Sequence, residues 1–405
     1  MKWTNKGHEL DGKADRLIER FKVSRKIYIF GAGLLGADLR IELEYFGCFA
    51  GFIDNDWEKQ KEGVDGFAVI SLSEYLRRKD EGIVVIAADQ RNIPAISRQL
   101  EESGLRKDTD YYSGQEFQRR LVPVLAAYYY DVSYTEISQI SLTERCTLRC
   151  EKCAHACPYS DNKTSDLSFE EVKKSADSFF RVTDVTKEFV LIGGEPLLYG
   201  QLAEAVAYIG SRYRNQMIIF SITTNGTLLP SREVLEQCGK YKVLFRISNY
   251  SAALPQLKRR YDELTGLLEK WDIEYSLGKP EINWFDYGFD HVERDVSKKE
   301  LTAVFDACGT KCHEVRGNKY YFCVMARSVS DNMGLGVGGE DYLDLDKLSG
   351  DDYKKILLEF NDGYSDKGYL EMCRRCNGAE ALNYLIPPAK QCVRNAKSTG
   401  IFRDE

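Results

Sequence analysis

The chain has 405 residues, 43% hydrophobic and 29% charged, with a net charge of −7. At roughly 150 residues per domain this length predicts two or three domains, and the composition is that of a globular protein, not a collagenous or disordered one. The acidic balance argues against a protein that grips nucleic acid by neutralising phosphates. The apolar run "IVVIAA" at 83–88 is too short to span a bilayer. The opening "MKWTNKGHELDGKAD" has no apolar core of a secretory signal. A cytoplasmic protein with no membrane partner is expected. Of twelve cysteines, only Cys48 lies before residue 146; four follow at 146–157, Cys238 stands alone, and six lie between 308 and 392. In a reducing compartment such clusters point to metal sites before disulfides.

In chain order, "KIYIFGAG" (26–33) predicts a strand running into a glycine turn, and "LLGADLRIELEYFG" a helix. "FAGFIDND" (49–56) and "IVVIAA" predict further strands, and "RNIPAISRQLEESGL" a helix. Such alternation implies a parallel sheet covered by helices over 1–115. "GAGLLG" places Gly31, Gly33 and Gly36 between strand and helix. Asp54 lies 21 residues after Gly33, where a dinucleotide fold puts its ribose acid. With "FIDND" and "VVIAADQRN", the segment resembles the small Rossmann-like domains of bacterial sugar acyltransferases and polysaccharide-biosynthesis proteins. That resemblance implies a nucleotide or nucleotide-sugar site; an NAD site and a docking domain without ligand stay open. Residues 116–135 read as a linker, with Tyr128, Tyr129 and Tyr130 as packing residues.

From 136 the alternation restarts. Strands are predicted at "ISQISL", "EFVLIGGEP", "MIIFSITTNG", "YKVLFRISNYS" and "IEYSL". Helices lie between them, the first opened by a Ser168–Glu171 capping box. The spacing suits a partial (β/α)6 barrel over 136–300, with its site at the carboxyl ends of the strands. After the first strand comes Cx3Cx2C: Cys146, Cys150 and Cys153. One loop can wrap these thiolates round a single centre; with Cys157 as fourth ligand, that centre is zinc. After the second strand come Gly193, Gly194, Glu195 and Pro196.

The two motifs in one β/α register resemble the radical SAM superfamily over about residues 136–290. The residue before the third cysteine is usually aromatic in that family; here it is Lys152, which bears on packing beside the adenine and not on the cluster. The resemblance implies that Cys146, Cys150 and Cys153 hold a 4Fe–4S cluster whose remaining iron takes S-adenosylmethionine. A flavodoxin- or ferredoxin-type donor would reduce it, and a 5′-deoxyadenosyl radical would attack the substrate. Cys157 then becomes a bystander thiol, or a hydrogen donor on the substrate side. Gly193, Gly194, Glu195 and Pro196 are expected at the methionine amino group, with Glu195 pairing with the ammonium. Thr223, Thr224, Asn225, Ser248 and Asn249 are expected along the cofactor. Arg246 is expected at the methionine carboxylate, its alternative being a core-edge salt bridge. His155 reads equally as a substrate contact or as packing.

The last 100 residues hold a Gly-rich stretch at 333–340 and the pair Pro387 and Pro388. The Gly-rich stretch lacks the Lys-Ser/Thr ending of a P-loop and reads as a flexible loop. If Gly317 and Asn318 form a two-residue turn, paired residue numbers sum to 635, which sets Cys312 opposite Cys323. Cys373 and Cys376 would complete four ligands, with Cys308 the alternative to Cys312. The region resembles the "twitch" extension of radical SAM enzymes, a shortened SPASM domain, which implies a second 4Fe–4S cluster over 301–405. A zinc knuckle with the same thiolates is the other reading. Four cysteines favour a cluster that accepts an electron, hence a two-electron oxidation of substrate. The expected protein is therefore α/β, with a Rossmann-like sheet, a partial barrel and a small cysteine-rich domain. Its expected function is radical oxidation or rearrangement of a sugar or nucleotide-linked sugar. A radical SAM peptide-modifying enzyme and a non-enzymatic zinc scaffold remain as alternatives.

Overall fold

Strands that read as unbroken runs of Ile, Val and Phe have no solvent face, so they belong inside a parallel sheet with helices on both sides. In the computed structural model, which describes residues 9–79, 81–160, 166–280, 283–289, 293–310, 312–335, 341–350, 352–363, 367–378 and 384–392, two such sheets form. The first is parallel throughout, in the order β3-β2-β1-β4-β5: β1 Ile27–Phe30, β2 Phe49–Ile53, β3 Val69–Ile70, β4 Ile83–Ile86 and β5 Tyr111–Ser113. β1 and β4 are buried at every position. Strand order reverses between them, which opens the crevice where doubly wound sheets take ligands.

The second sheet carries β6 (Tyr134–Ser141), β7 (Val185–Ile192), β8 (Met217–Thr224), β9 (Val243–Ile247) and β10 (Tyr275–Leu277), parallel and adjacent in chain order. The helix Phe169–Val182 between β6 and β7 starts with the expected Ser168–Glu171 capping box. Next, β11 (Trp284–Phe285) leaves the sheet. The sixth parallel strand is β12 (Cys312–Arg316), and it joins the far side of β6, with Cys312 opposite Ile137. This differs from a sixth strand added after β10. β11 has only two residues and pairs antiparallel with β15 (Leu385–Ile386), which leaves β10 as a largely exposed edge. β13 (Lys319–Tyr321) and β14 (Tyr342–Asp344) extend the sheet antiparallel beyond β12. The cysteine hairpin thus continues the central sheet, and one apolar core runs from Ile140 to Cys376.

The stretch read as a linker is helical through Gly114–Glu116, Phe117–Leu121 and Val122–Tyr128. Its tyrosines pack: Tyr129 meets Phe21 edge-on at 5.0 Å, and the Tyr130 hydroxyl donates to Phe46 O at 2.8 Å. The helix opened by the glycine motif, Leu34–Tyr45, docks under the amino ends of the central strands. Lys187 Nζ lies 2.7 Å from Asp38 and 3.1 Å from Glu42, and the Tyr134 hydroxyl also donates to Glu42. Among the described residues no helix is long and apolar enough to cross a membrane.

Candidate active site

The carboxyl ends of β6, β7 and β8 meet over one loop. The turn after β7 hydrogen-bonds the chain entering that loop: Gly194 N donates to Thr143 O at 2.7 Å and Glu195 N to Arg145 O at 2.8 Å. A Cβ on Gly193 would sit 2.3 Å from Thr143 O, and one on Gly194 2.3 Å from Arg145 O. The close approach that makes glycine necessary here is to the protein's own backbone. Gly194→Ala should therefore cost about 1–3 kcal/mol, as overpacking does. Thermal denaturation checks this, and an unchanged melting temperature would contradict the packing described.

Glu195 is fully buried and links two turns. It accepts hydrogen bonds from Thr224 Oγ1 at 2.7 Å, Asn225 N at 2.9 Å and Leu197 N at 3.1 Å. Burial pushes its pKa up against these bonds. A carboxylate has about four acceptor positions, so at most one remains for the ammonium expected there. Pro196 opens the short turn Pro196–Leu198. The Asn225 amide donates to Thr147 Oγ1 at 3.1 Å and to Cys146 Sγ at 3.5 Å. Ser248 N donates to Thr224 O at 2.9 Å, which ties the β9 turn to the β8 turn. Asn249 acts as a turn former, its Oδ1 accepting from Ser251 N at 3.0 Å. Arg246, expected at the methionine carboxylate, makes the alternative salt bridge here. It forks onto Glu188 at 2.5 and 2.8 Å, because both side chains enter the same layer of the sheet's inner face, where Ser221 also donates to Glu188 at 2.6 Å.

Cys146, Cys150 and Cys153 lie within one another's electrostatic reach. Burial raises the Cys146 thiol to about 11 and the Cys150 thiol to about 12. Cys157 donates to Cys153, which lowers the Cys153 pKa and raises its own. Each of the three sulfurs has a donor of its own. Leu148 N (3.4 Å) and Asn225 serve Cys146, Gln391 Nε2 (3.4 Å) serves Cys150, and Cys157 serves Cys153. Buried thiolates of this kind need a cation to form. Among the described residues no three His, Cys, Asp or Glu side chains converge as a single ion requires. Three thiolates from one loop would leave one iron of a 4Fe–4S cluster without a protein ligand, whereas a structural zinc takes four ligands.

Several residues of the site were not legible in the sequence. Lys152, in the position where an aromatic is usual, lies 3.2 Å from Asp286 Oδ2. Asp286 is 3% exposed and also accepts from the Tyr384 hydroxyl at 2.9 Å and Gly288 N at 2.8 Å. Tyr250 stands edge-on to Trp284 at 5.5 Å, its hydroxyl buried near Cys150 and Cys153. Glu144, two residues before Cys146, meets Arg327 at 2.5 Å and Asn332 Nδ2 at 2.9 Å. Arg327 in turn meets Glu314 of β12 at 2.6 Å. His155 packs beside this network, with its carbonyl taking Asn332 Nδ2 at 2.7 Å. No spacing in the sequence marks this network, since the partners of Glu144 lie more than 180 residues away.

The second cysteine group keeps the predicted register. Glu314 faces Tyr321, Val315 faces Tyr320 and Arg316 faces Lys319, round a turn with Gly317 at φ +62°. Cys312 and Cys323 are not a pair of this ladder, although Tyr287 lies near Cys308, Cys312, Cys323 and Cys376 alike. The ladder ends at Glu314 and Tyr321, Cys312 pairs with β6, and Cys323 caps the helix Val324–Met333. The thiols of Cys323 and Cys373 each act with Cys376, and all three act with Cys308. Burial raises Cys373 and Cys376 to about 12. Tyr287 lies among these thiols, and Arg294 donates to Cys373 O at 3.3 Å. Residues 336–340 of the Gly-rich stretch lie outside the described residues, and Gly334 ends the preceding helix.

In the first sheet, Gly31 has φ +121°, and a Cβ there would lie 2.3 Å from Ala87 O. One on Gly36 would lie 2.1 Å from Gly31 O, whereas Gly33 faces open space. Asp54 does not point free into the crevice. It accepts from Ala32 N at 2.9 Å, Asp56 N at 3.0 Å and Lys59 Nζ at 3.1 Å, which pins the glycine turn to β2. Leu34, Leu35 and Trp57 at this edge are exposed.

Residues 140–256 match the family described as the radical SAM superfamily. A GTP 3',8-cyclase of Campylobacter fetus subsp. fetus is 26% identical over 270 residues, covering 62% of this chain and 78% of that protein. The GTP 3',8-cyclase of Aliarcobacter butzleri is 26% identical over 268 residues, with the same shares of 62% and 78%. Among solved structures, BtrN in complex with AdoMet and 2-DOIA matches 62% of this chain and 98% of its own, at 16% identity and a TM-score of 0.39.

Proposed function

We propose that this chain is a radical SAM enzyme that carries out radical chemistry on a nucleotide or nucleotide-linked sugar. Cys146, Cys150 and Cys153 bind the activating 4Fe–4S cluster, and Cys308, Cys323, Cys373 and Cys376 bind a second. A three-cysteine cluster with S-adenosylmethionine on its open iron supplies a 5′-deoxyadenosyl radical, which removes hydrogen from unactivated C–H bonds. The match of residues 140–256 to the radical SAM superfamily weighs against the zinc-scaffold alternative.

The observation that carries this reading is the loop held from three sides. The turn of 193–196 fixes its entry by main-chain bonds, Asn225 reaches Cys146, and Cys157 serves Cys153. The chain's own part is positional. Glu195 locks the two turns, Lys152 and Asp286 fix the loop's flank, and Tyr250 with Trp284 shields the thiols from water. The similarity to GTP 3',8-cyclases and the crevice of the first sheet support a nucleotide-bearing substrate. An external donor of the flavodoxin or ferredoxin class supplies the electron.

Anaerobic purification tests this directly. About eight irons and eight sulfides per chain, with 5′-deoxyadenosine released on reduction with S-adenosylmethionine, are expected. Colourless protein with stoichiometric zinc would sink the cluster assignment. GTP or a nucleotide-sugar should raise the melting temperature and stimulate 5′-deoxyadenosine release. If no nucleotide does either, the substrate class is wrong.

A further inference from the structure

The loop carrying the first three cysteines is closed from outside by a strap, residues 389–392. Cys150 and Gln391 form an antiparallel bridge, Glu151 N donates to Lys390 O at 2.8 Å, and Cys392 N donates to Arg149 O at 2.7 Å. Lys390 Nζ adds an ion pair to Glu151 at 2.8 Å. The Gln391 side chain is used at both ends. Its Oε1 accepts from Arg149 N at 2.7 Å, and its Nε2 donates to Cys150 Sγ at 3.4 Å and to Ala389 O at 2.7 Å. The bond to sulfur spans 241 positions of sequence. Among the described residues, only this one of the donors to the three sulfurs comes from beyond residue 225.

We propose that Gln391 is a positioning residue that sets the reduction potential of the first cluster through its amide N–H to the Cys150 sulfur. The proposal rests on the reading that Cys146, Cys150 and Cys153 hold that cluster. A hydrogen bond to a cluster sulfur stabilises the more negative, reduced state, so it raises the potential. No bond to the chain forms or breaks. The amide biases a one-electron reduction whose electron comes from an external low-potential donor of the ferredoxin or flavodoxin class. The carbonyl end of the same side chain holds the loop backbone, so the donor's position is fixed by the strap and not by its own rotamer.

Two substitutions separate tuning from folding. Gln391→Ala removes both contacts. Gln391→Glu keeps an acceptor for Arg149 N and the main-chain bonds of the strap, but replaces the N–H with a negative charge. An EPR-monitored redox titration of the reconstituted full chain reads the signal that S-adenosylmethionine perturbs, which identifies the first cluster. In both variants the reduced-to-oxidised ratio at fixed poise should fall roughly three- to tenfold, the upper figure being about 59 mV for one electron. Lys390→Ala, which loses only the exposed ion pair, should leave the ratio unchanged. Pulsed EPR of protein labelled with 15N in glutamine side chains should show a coupling that Gln391→Glu abolishes. An unchanged ratio in Gln391→Glu with full iron content overturns the proposal while leaving the cluster assignment standing. Parent protein that binds no cluster overturns the assignment itself.

Discussion

Replacing Cys146, Cys150 or Cys153 with Ala abolishes 5′-deoxyadenosine formation and removes about four of about eight irons per chain. The loss exceeds about 100-fold, the upper range for disturbing mere outer partners of a metal site. Cys157→Ala behaves differently. Its thiol donates to Cys153, and as an outer partner of the cluster its loss should leave iron content intact and lower cleavage by no more than about tenfold. Iron assay and chromatographic quantitation of 5′-deoxyadenosine in the four variants decide the matter. A Cys157→Ala protein that loses the cluster would make this a four-cysteine site and undo the division.

Arg327→Met destabilises the fold by about 3–5 kcal/mol, the cost of breaking a buried ion pair by removing one partner. Arg327 is 1% exposed and faces Glu144 at 2.5 Å and Glu314 at 2.6 Å, both acids being buried. Burial alone would raise both acids. Arg327 with Asn332 holds Glu144 below its ordinary value, while Glu314 stays raised. Without the guanidinium, both acids take up protons more readily folded than unfolded. Stability of the variant therefore falls as pH rises from about 4.3, the free glutamate value, through the raised folded pKa. Lowering the pH through that window should recover part of the loss. Urea denaturation at several pH values checks this, and a pH-independent loss below about 1 kcal/mol would show that the network is not the buried anchor described.

The parts of this molecule that rest on local rules were readable in advance. The glycine turn, the capping box at Ser168 and the turn at Gly317 each follow from short-range pattern, and the register sum of 635 held for all three observed pairs. What failed depended on where the chain goes next. β12 joins β6 while β10 stays an edge paired only with β9, and a register that is right for the hairpin says nothing of where Cys323 leaves it. Arg246 and Asp54 were assigned to ligands by position in a motif, yet each meets an internal partner that only the folded sheet brings close. Gln391 and Arg327 carry no motif. Their roles arise from contacts across more than 180 residues, which periodicity and spacing do not encode.

The segment 384–392 touches the site twice within nine residues. Tyr384 holds Asp286, Leu385 and Ile386 pair with Trp284 and Phe285, and Lys390 to Cys392 lie along the cysteine loop. Between the two contacts stand Pro387 and Pro388, which fix their own φ angles and donate no main-chain hydrogen bond. A joint of that kind is a stiff lever and not a hinge. Tyr287, beside Asp286, sits among the second group of cysteines. The same nine residues thus tie the surroundings of both cysteine groups together through a segment that is separate from the sheet between them.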